Sequence, residues 1–428
     1  MRDMGRSDDP RVQAQLDRLG SLSIQRDTLG LDAIQELMRQ LGDPHKRLPP
    51  VFHVAGTNGK GSTCAFLRAM LEAERYKVHV TTSPHLVRYN ERIRLAGKLI
   101  SDEELADVLA EALDAGEGLS PSFFEVTIAA AFLAFSRTPA EACVVEVGMG
   151  GRFDATNVLT PEVLAACGIA ALGFDHERFL LAPGEGVPTE PMARIAFEKA
   201  GILKRKVPFA MLDYPPNVVD VIWRQAEAVG ALGFDVWRVE RQANGFDYVG
   251  KFGSLRNLPM PSLPGNHQID NAGLAIAMLQ VSELRPSEAA IRAGLGSATW
   301  PARLQRLSDG PLSNGREVWL DGGHNPSAGD AIARHFAGKD LHLIIGMIEG
   351  KDPAGFLAAL GDIPSSVAVV PVPAHDWFPA EKFGSEARFA NDVPSALAAL
   401  PHDGLPVLIA GSLYLAGEVL RLNDEVPD

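Results

Sequence analysis

Cysteine is scarce. The 428 residues contain three, Cys64, Cys143 and Cys167, each inside an apolar run. An odd number with no C-x-x-C pair supports neither a disulfide framework nor a thiolate zinc site; these read as small buried residues in a reducing cytoplasm. Basic charge is also short: 40 Lys and Arg stand against 54 Asp and Glu, a formal net charge of −14. That excludes a general nucleic-acid binder but leaves room for an anionic small substrate held by a few local cations. Long apolar runs are missing too, so no segment spans a bilayer, and the polar residues 1–10 lack the apolar core of a signal peptide. A soluble, cytoplasmic protein without membrane or nucleic-acid partners is expected. The length suggests two domains, and 46% hydrophobic with 22% charged residues is ordinary for a globular chain.

What is present centres on residues 51–63. An apolar, β-branched run, Val51-Phe52-His53-Val54-Ala55, leads into Gly56, Thr57, Asn58, Gly59, Lys60, Gly61, Ser62 and Thr63, and an alanine- and leucine-rich run follows. The order is strand, tight loop, helix. The glycines let the backbone wrap an anion, and the helix N-terminus turns N–H groups towards it. Lys60 adds a full charge and Ser62 or Thr63 a hydroxyl. The loop reads as a cradle for the phosphates of a nucleoside triphosphate. It is a variant of G-x-x-x-x-G-K-[ST]: Val54 stands at the first glycine, and Gly61 separates Lys60 from Ser62.

Around the loop, strands alternate with helices. Strands are expected near 77–82, 142–147 and 163–169, and helical spacing recurs within 11–43. Helices are expected near 102–115, behind a Ser101/Glu104 capping box, and from Phe124 to Arg137. Over 207–262 the pattern loosens and suggests a small antiparallel addition. Residues 296–303 look like a link. Beyond it, strands near 317–321, 341–346, 367–370 and 407–411 indicate a second α/β domain. The fold class is therefore α/β: a P-loop-type, mostly parallel, doubly wound sheet domain over 1–297, then a smaller Rossmann-like domain over 298–428.

In open α/β sheets, ligands sit at the carboxyl ends of the strands. The polar residues there are Lys60, Ser62, Ser83, Glu146, Asp175, His176, Asp321 and His324. Glu146 interrupts an apolar strand, and a buried carboxylate is costly without a cation. A Mg²⁺ on the triphosphate would satisfy it, with Ser83 as a second hard oxygen ligand; a salt bridge to Arg152 is the structural alternative. Arg303 would place a guanidinium at the hinge, suited to phosphate. Lys199, near a helix end, reads on composition alone as a solvated cation.

Taken together, these segments resemble the folylpolyglutamate synthase/dihydrofolate synthase family of Mur-ligase-like amide-forming enzymes. The matching pieces include residues 53–63, 82–86, 90–93, 122–127, 146–157, 175–176, 198–202, 267–272, 300–304, 321–326, 346–352 and 411–417. They cover nearly the whole chain in the family's order. The resemblance implies that Thr57, Asn58, Gly59, Lys60, Gly61 and Ser62 hold ATP phosphates, with Asn271, Arg303 and Asp321 completing the ATP site across the hinge. Ser83, Glu146 and His176 would bind Mg²⁺, two ions in all, with a monovalent cation in addition. Lys199 resembles the family's carbamylated lysine, N6-carboxylysine, and joins Lys60 and His324 as catalytic residues. Ser122, Phe123, Phe124, Glu125, Phe153, Asp154 and Ala155 resemble the pterin pocket.

The implied partners are ATP, L-glutamate, dihydropteroate and reduced folates, bound by a monomer. A substrate carboxylate attacks the γ-phosphate, and the glutamate amine then displaces phosphate from the acyl phosphate, a reaction that asks mainly for charge neutralisation. Three departures stand out: Ser122 for the usual Thr, Gly323 for Ala, and a longer stretch over 181–188. Two other readings compete. A peptidoglycan-precursor ligase would be expected to carry a nucleotide-sugar domain before the loop, where only about fifty residues stand. A switch-type P-loop NTPase would hydrolyse ATP without an amino-acid acceptor.

Overall fold

A computed structural model of the chain describes residues 6–22, 30–175, 177–182, 184–234 and 236–428. Its main sheet has eight strands: β1 (Val51–Ala55), β2 (Val78–Thr81), β3 (Ile93–Leu95), β4 (Lys98–Leu99), β5 (Ala142–Glu146), β6 (Leu164–Ile169), β7 (Pro208–Met211) and β8 (Leu232–Gly233). Their order is β4-β3-β2-β5-β1-β6-β7-β8. From β2 to β8 every pairing is parallel, and β3 and β4 add an antiparallel edge.

All five residues of β1 are buried, as a central strand covered on both faces requires. Their alternation divides two cores. Val51 and Ala55 join one cluster with helices Asp102–Ala115, Phe123–Arg137 and Pro191–Ala200. Phe52 and Val54 join the other, with helices Lys60–Ala73, His267–Val281 and Glu288–Ser297. The Ser101/Glu104 capping box forms as expected. Cys64, Cys143 and Cys167 are buried and free of disulfides. Among the described residues no helix is long and apolar enough to cross a membrane.

The antiparallel stretch is shorter than the sequence pattern suggests. β7 belongs to the main sheet, and Pro216–Val229 is a 14-residue helix. Pro215 and Pro216 disguise that helix, because proline at the first helical position costs no hydrogen bond. Only β9 (Trp237–Gln242), β10 (Gly245–Gly250) and β11 (Leu255–Pro259) form the separate antiparallel sheet.

Beyond helix Glu288–Ser297 a second sheet begins: β12 (Gln305–Arg306), β13 (Val318–Leu320), β14 (Leu341–Ile345), β15 (Pro364–Val369), β16 (Arg388–Phe389) and β17 (Val407–Ala410). It runs β12-β13-β17-β14-β15-β16, parallel except at β12. It has its own apolar clusters on its two faces. Leu86 and Val87 of the first unit pack against one of them. There the backbone of Gly417 meets the Leu86 carbonyl so closely that a Cβ on Gly417 would lie 1.8 Å from the oxygen.

Candidate active site

β1 ends at Ala55, and Gly56 and Gly59 turn the chain into helix Lys60–Ala73. Gly59 has φ +80°, the left-handed region that glycine adopts without strain. It must also be small: a Cβ there would sit 2.4 Å from Asn271 Oδ1. Gly61 has a different reason. A Cβ on it would lie 2.5 Å from the Trp300 ring. The glycine that makes the loop irregular is therefore the seat of the hinge tryptophan. Lys60 Nζ donates to the carbonyls of Gly56 (3.0 Å) and Thr57 (3.2 Å), at the mouth of the loop. The Ser62 hydroxyl is buried and accepts from Gln268 Nε2 at 3.3 Å, while Asn271 Nδ2 donates to Gln268 Oε1 at 2.9 Å.

Glu146, the last residue of β5, is 6% exposed. One of its oxygens accepts from the Ser83 amide at 3.3 Å. Burial pushes its carboxyl upward, and the Lys60 ammonium opposes that. Arg152 does not compensate it: that guanidinium pairs bidentately with Glu198 at 2.8 and 3.0 Å, and Arg194 shares the same carboxylate at 3.0 Å. A buried carboxylate beside a serine at the end of β2 is a hard-oxygen donor pair and fits a divalent cation. His176, the expected third ligand, lies outside the described residues. Among the described residues no group of three metal-ligating side chains forms.

Lys199 is not a solvated cation. It is 4% exposed, and its Nζ donates to the Gly56 carbonyl at 2.8 Å. Burial, with the Lys60 charge adding to it, pulls its amine down to about 7 against the attraction of Asp175, Asp154 and Glu198. A lysine in this state is a nucleophilic amine at neutral pH.

The second unit closes on this edge through β13 and the turn after it. Asp321 is buried and accepts from the amides of Leu304 (2.8 Å) and Gly323 (2.6 Å), which fixes the hinge beside Arg303. Burial raises its carboxyl and the Arg303 charge lowers it. Arg303 itself donates to the Ala302 carbonyl. His324 Nδ1 faces the Gly322 carbonyl at 3.0 Å, and its Nε2 faces Asp175 at 3.3 Å. Lys351 grips the other Asp175 oxygen at 2.6 Å. Asn58 and Asn325 exchange side-chain hydrogen bonds at 3.2 Å in both directions. Asn325, Lys351 and Gln268 lie in segments that match the family but were assigned no role from the sequence. Their one signal was their place in those segments, Asn325 and Lys351 in loops and Gln268 in the helix His267–Val281.

The remaining candidates flank the Glu146 edge. Ser122 and Glu125 form the capping box of helix Phe123–Arg137. Phe123 and Phe124 are half-buried, and the Phe124 ring covers Gly148, where a Cβ would lie 2.5 Å away. Arg152 stacks over Phe153 at 4.2 Å. Asp154 is buried beside Ala155, and its oxygens accept from the amides of Met149 (2.8 Å) and Thr156 (3.0 Å) and from the Thr156 hydroxyl. That hydroxyl also meets His53 Nε2 at 2.8 Å.

No family model matches the chain. Individual proteins do. A dihydrofolate synthetase of Saccharomyces cerevisiae is 31% identical, over 92% of this chain and 98% of its own length. An Escherichia coli dihydrofolate synthase/folylpolyglutamate synthase is 33% identical over 92% of each. Among solved structures, E. coli FolC in complex with DHPP and ADP superposes with a TM-score of 0.84 at 30% identity, covering 97% of this chain and 98% of that one. A bifunctional folylpolyglutamate synthase/dihydrofolate synthase with Mn, AMPPNP and L-glutamate bound gives 0.82 at 30% identity, covering 98% and 99%.

Proposed function

The chain belongs to the dihydrofolate synthase/folylpolyglutamate synthase family, and on that premise we propose how its own residues perform the reaction. It is an ATP-dependent amide-forming ligase. It adds L-glutamate to dihydropteroate, giving dihydrofolate, and to reduced folates, through an acyl phosphate that releases ADP and phosphate. The observation that carries this over an NTPase switch is the meeting of two α/β units at one loop. Asn58 faces Asn325, and Asp175 faces both His324 and Lys351. A switch needs only the first unit, whereas a ligase must bring a third substrate against the γ-phosphate and exclude water while the acyl phosphate lives.

In this reading residues 1–297 bind ATP and the pterin substrate, and residues 298–428 bring glutamate. Residues 57–62 hold the phosphates, and Asn271, Arg303 and Asp321 complete the ATP site. Lys60, released from the loop carbonyls, neutralises charge on the transferring phosphoryl group. Ser83, Glu146 and His176 would hold a divalent cation, which we take to be Mg²⁺ in two copies, with a monovalent cation beside them. Bound there, the metal supplies charge neutralisation and polarises the phosphoryl oxygens. The Lys199 amine, with its lone pair free near neutral pH, forms an N–C bond to CO₂ and gives up a proton. The resulting carbamate is a carboxylate suited to the metal site. Residues 122–125 and 153–155 form the pterin pocket. The enzyme acts as a cytoplasmic monomer.

The deciding experiment measures phosphate release with ATP, L-glutamate and either dihydropteroate or a reduced folate. Release should require all three. ATP turnover indifferent to glutamate and to the pterin acceptor would refute the ligase reading.

A further inference from the structure

Each turnover on a folate lengthens an anionic tail, on a protein whose own net charge is −14. Like charge repels such a tail at long range, so it can rest only where the surface is locally cationic. One such place lies apart from the residues assigned above. Along the sheet edge formed by β3 and β4 runs a cavity of about 520 Å³, lined by Arg88, Asn90, Arg94, Lys98 and Asp102 among others.

Arg94 lies on β3 between Ile93 and Leu95, which enter the core, and faces the opposite way. Its guanidinium is largely withdrawn from water, and that burial pulls it down to about 10. Its hydrogen bonds run to carbonyl oxygens, those of Gly97 (3.1 Å) and Asp428. Arg88 donates to the Pro427 carbonyl at 2.9 Å and lies 3.6 Å from the Asp428 carboxylate. Lys98 is exposed on the edge strand. Two acidic residues also line the wall: Asp102, engaged by Asn90 Nδ2 at 2.8 Å, and Asp428.

Residues 425–428 thus form an acidic strap from the second unit. Glu425 anchors it on Gln305 (2.9 Å) and the Ser308 amide (2.6 Å). The chain already places oxygen acceptors on both guanidiniums. The wall also connects to the reaction edge. The amides of Leu86, Val87 and Arg88 all donate to the Glu91 carboxylate at 2.8, 2.9 and 2.6 Å, and the Thr82 amide bonds to the Arg92 carbonyl at 3.3 Å. One short, braced segment therefore carries Ser83 at one end and Arg88 at the other.

We propose that this cavity is an anion subsite for the oligo-γ-glutamyl tail of the folate substrate, whose carboxylates replace the strap on Arg88 and Arg94 while Lys98 completes the cationic rim. The proposal rests on the ligase reading above. It assigns the site to tethered carboxylates rather than to free phosphate, since the strap it replaces is itself a stretch of chain that brings its oxygens to two guanidiniums.

The test is calorimetric titration of the full-length protein, without ATP, with a γ-linked tetraglutamate, with glutamate and with inorganic phosphate. Tetraglutamate should bind, and the binding should weaken as salt rises. Arg94→Gln should weaken it about tenfold, as loss of a charge-assisted hydrogen bond does. Lys98→Glu, an exposed change that cannot disturb the core, should weaken it as much. In steady state both variants should raise KM for a tetraglutamyl folate about tenfold and leave KM and kcat for dihydropteroate unchanged.

No tetraglutamate binding, an equal KM rise for both substrates, or phosphate binding as tight as tetraglutamate would each overturn the subsite. A protein that binds tetraglutamate with this sensitivity but forms no amide would instead lose the ligase reading. One that forms amide but shows no such binding would lose the subsite alone.

Discussion

Lys199 donates from Nζ to the carbonyl of Gly56 at 2.8 Å, so a helix of one crossover is fastened to the first residue of the phosphate loop. The contact holds the amine at the edge of the phosphate site and out of water.

Lys199→Ala should reduce kcat by about 10² or more, the scale expected when a group supporting a metal site is lost. Removing CO₂ and bicarbonate from the wild-type assay should also lower activity, and adding bicarbonate should restore it. Full activity of the variant in CO₂-free buffer would dismiss the carbamate.

The same lysine makes stability depend on pH. Its amine lies near 7 in the fold, against 10.5 for an ordinary lysine. Between those values the unfolded chain holds a proton that the folded chain has shed, so stability rises as pH is raised through that window. Below about pH 7 the amine is charged where it is buried, and that gain is gone. Thermal melts in CO₂-free buffer should show the rise between pH 7 and 9 in the wild type. Lys199→Met should flatten it.

Gly61→Ala should weaken ATP binding and lower stability by about 1–3 kcal/mol, the usual cost of overpacking, because its Cβ would lie 2.5 Å from the Trp300 ring. Pairing it with Trp300→Leu should return much of the ATP affinity. A double variant no better than Gly61→Ala alone would show that the glycine serves the loop's backbone and not the tryptophan.

Lys351→Met should take one ion-pair partner from Asp175, whose side chain is only 13% exposed, while leaving His324 in contact with it across the cleft. Removing one member of a buried pair costs up to about 3–5 kcal/mol, and here His324 retains part of it. Glutamate-dependent turnover should fall while ATP binding to the isolated loop side changes little. Equilibrium nucleotide binding beside steady-state rates separates the two effects.

Glu146→Gln keeps the shape of the strand end but removes the charge. Divalent-ion affinity should drop about 10- to 100-fold, read as a higher metal concentration for half-maximal rate. Chelation of the metal should stop turnover in the wild type.

The phosphate loop was legible because its glycines, Lys60 and hydroxyls are consecutive. The sheet alternation was legible because buried parallel strands are continuous apolar runs. Lys199 was not legible from composition. It is buried against the Gly56 carbonyl, 143 positions away, beside a Glu198 claimed by two arginines. Neither fact has a local signature. Asp175 and Lys351 stand 176 positions apart and meet only when the two units pack. The helix Pro216–Val229 was hidden by prolines that mark a loop as often as a helix start. The residues grouped as a pterin pocket were adjacent in sequence. Yet Ser122, Glu125 and Asp154 spend their polar atoms on caps and backbone amides; the Ser122/Glu125 spacing is itself a capping-box signature, whereas the Asp154 contacts needed coordinates.

Where Gly417 touches the Leu86 carbonyl, the two units have no slack between them. Only glycine fits there, because any side chain at position 417 would run into that carbonyl. Leu86 stands three residues from Ser83, so this tight joint between the units lies close to the strand end beside Glu146. A methyl group added at position 417 would act as a wedge, holding the cleft ajar and leaving the acyl phosphate open to water.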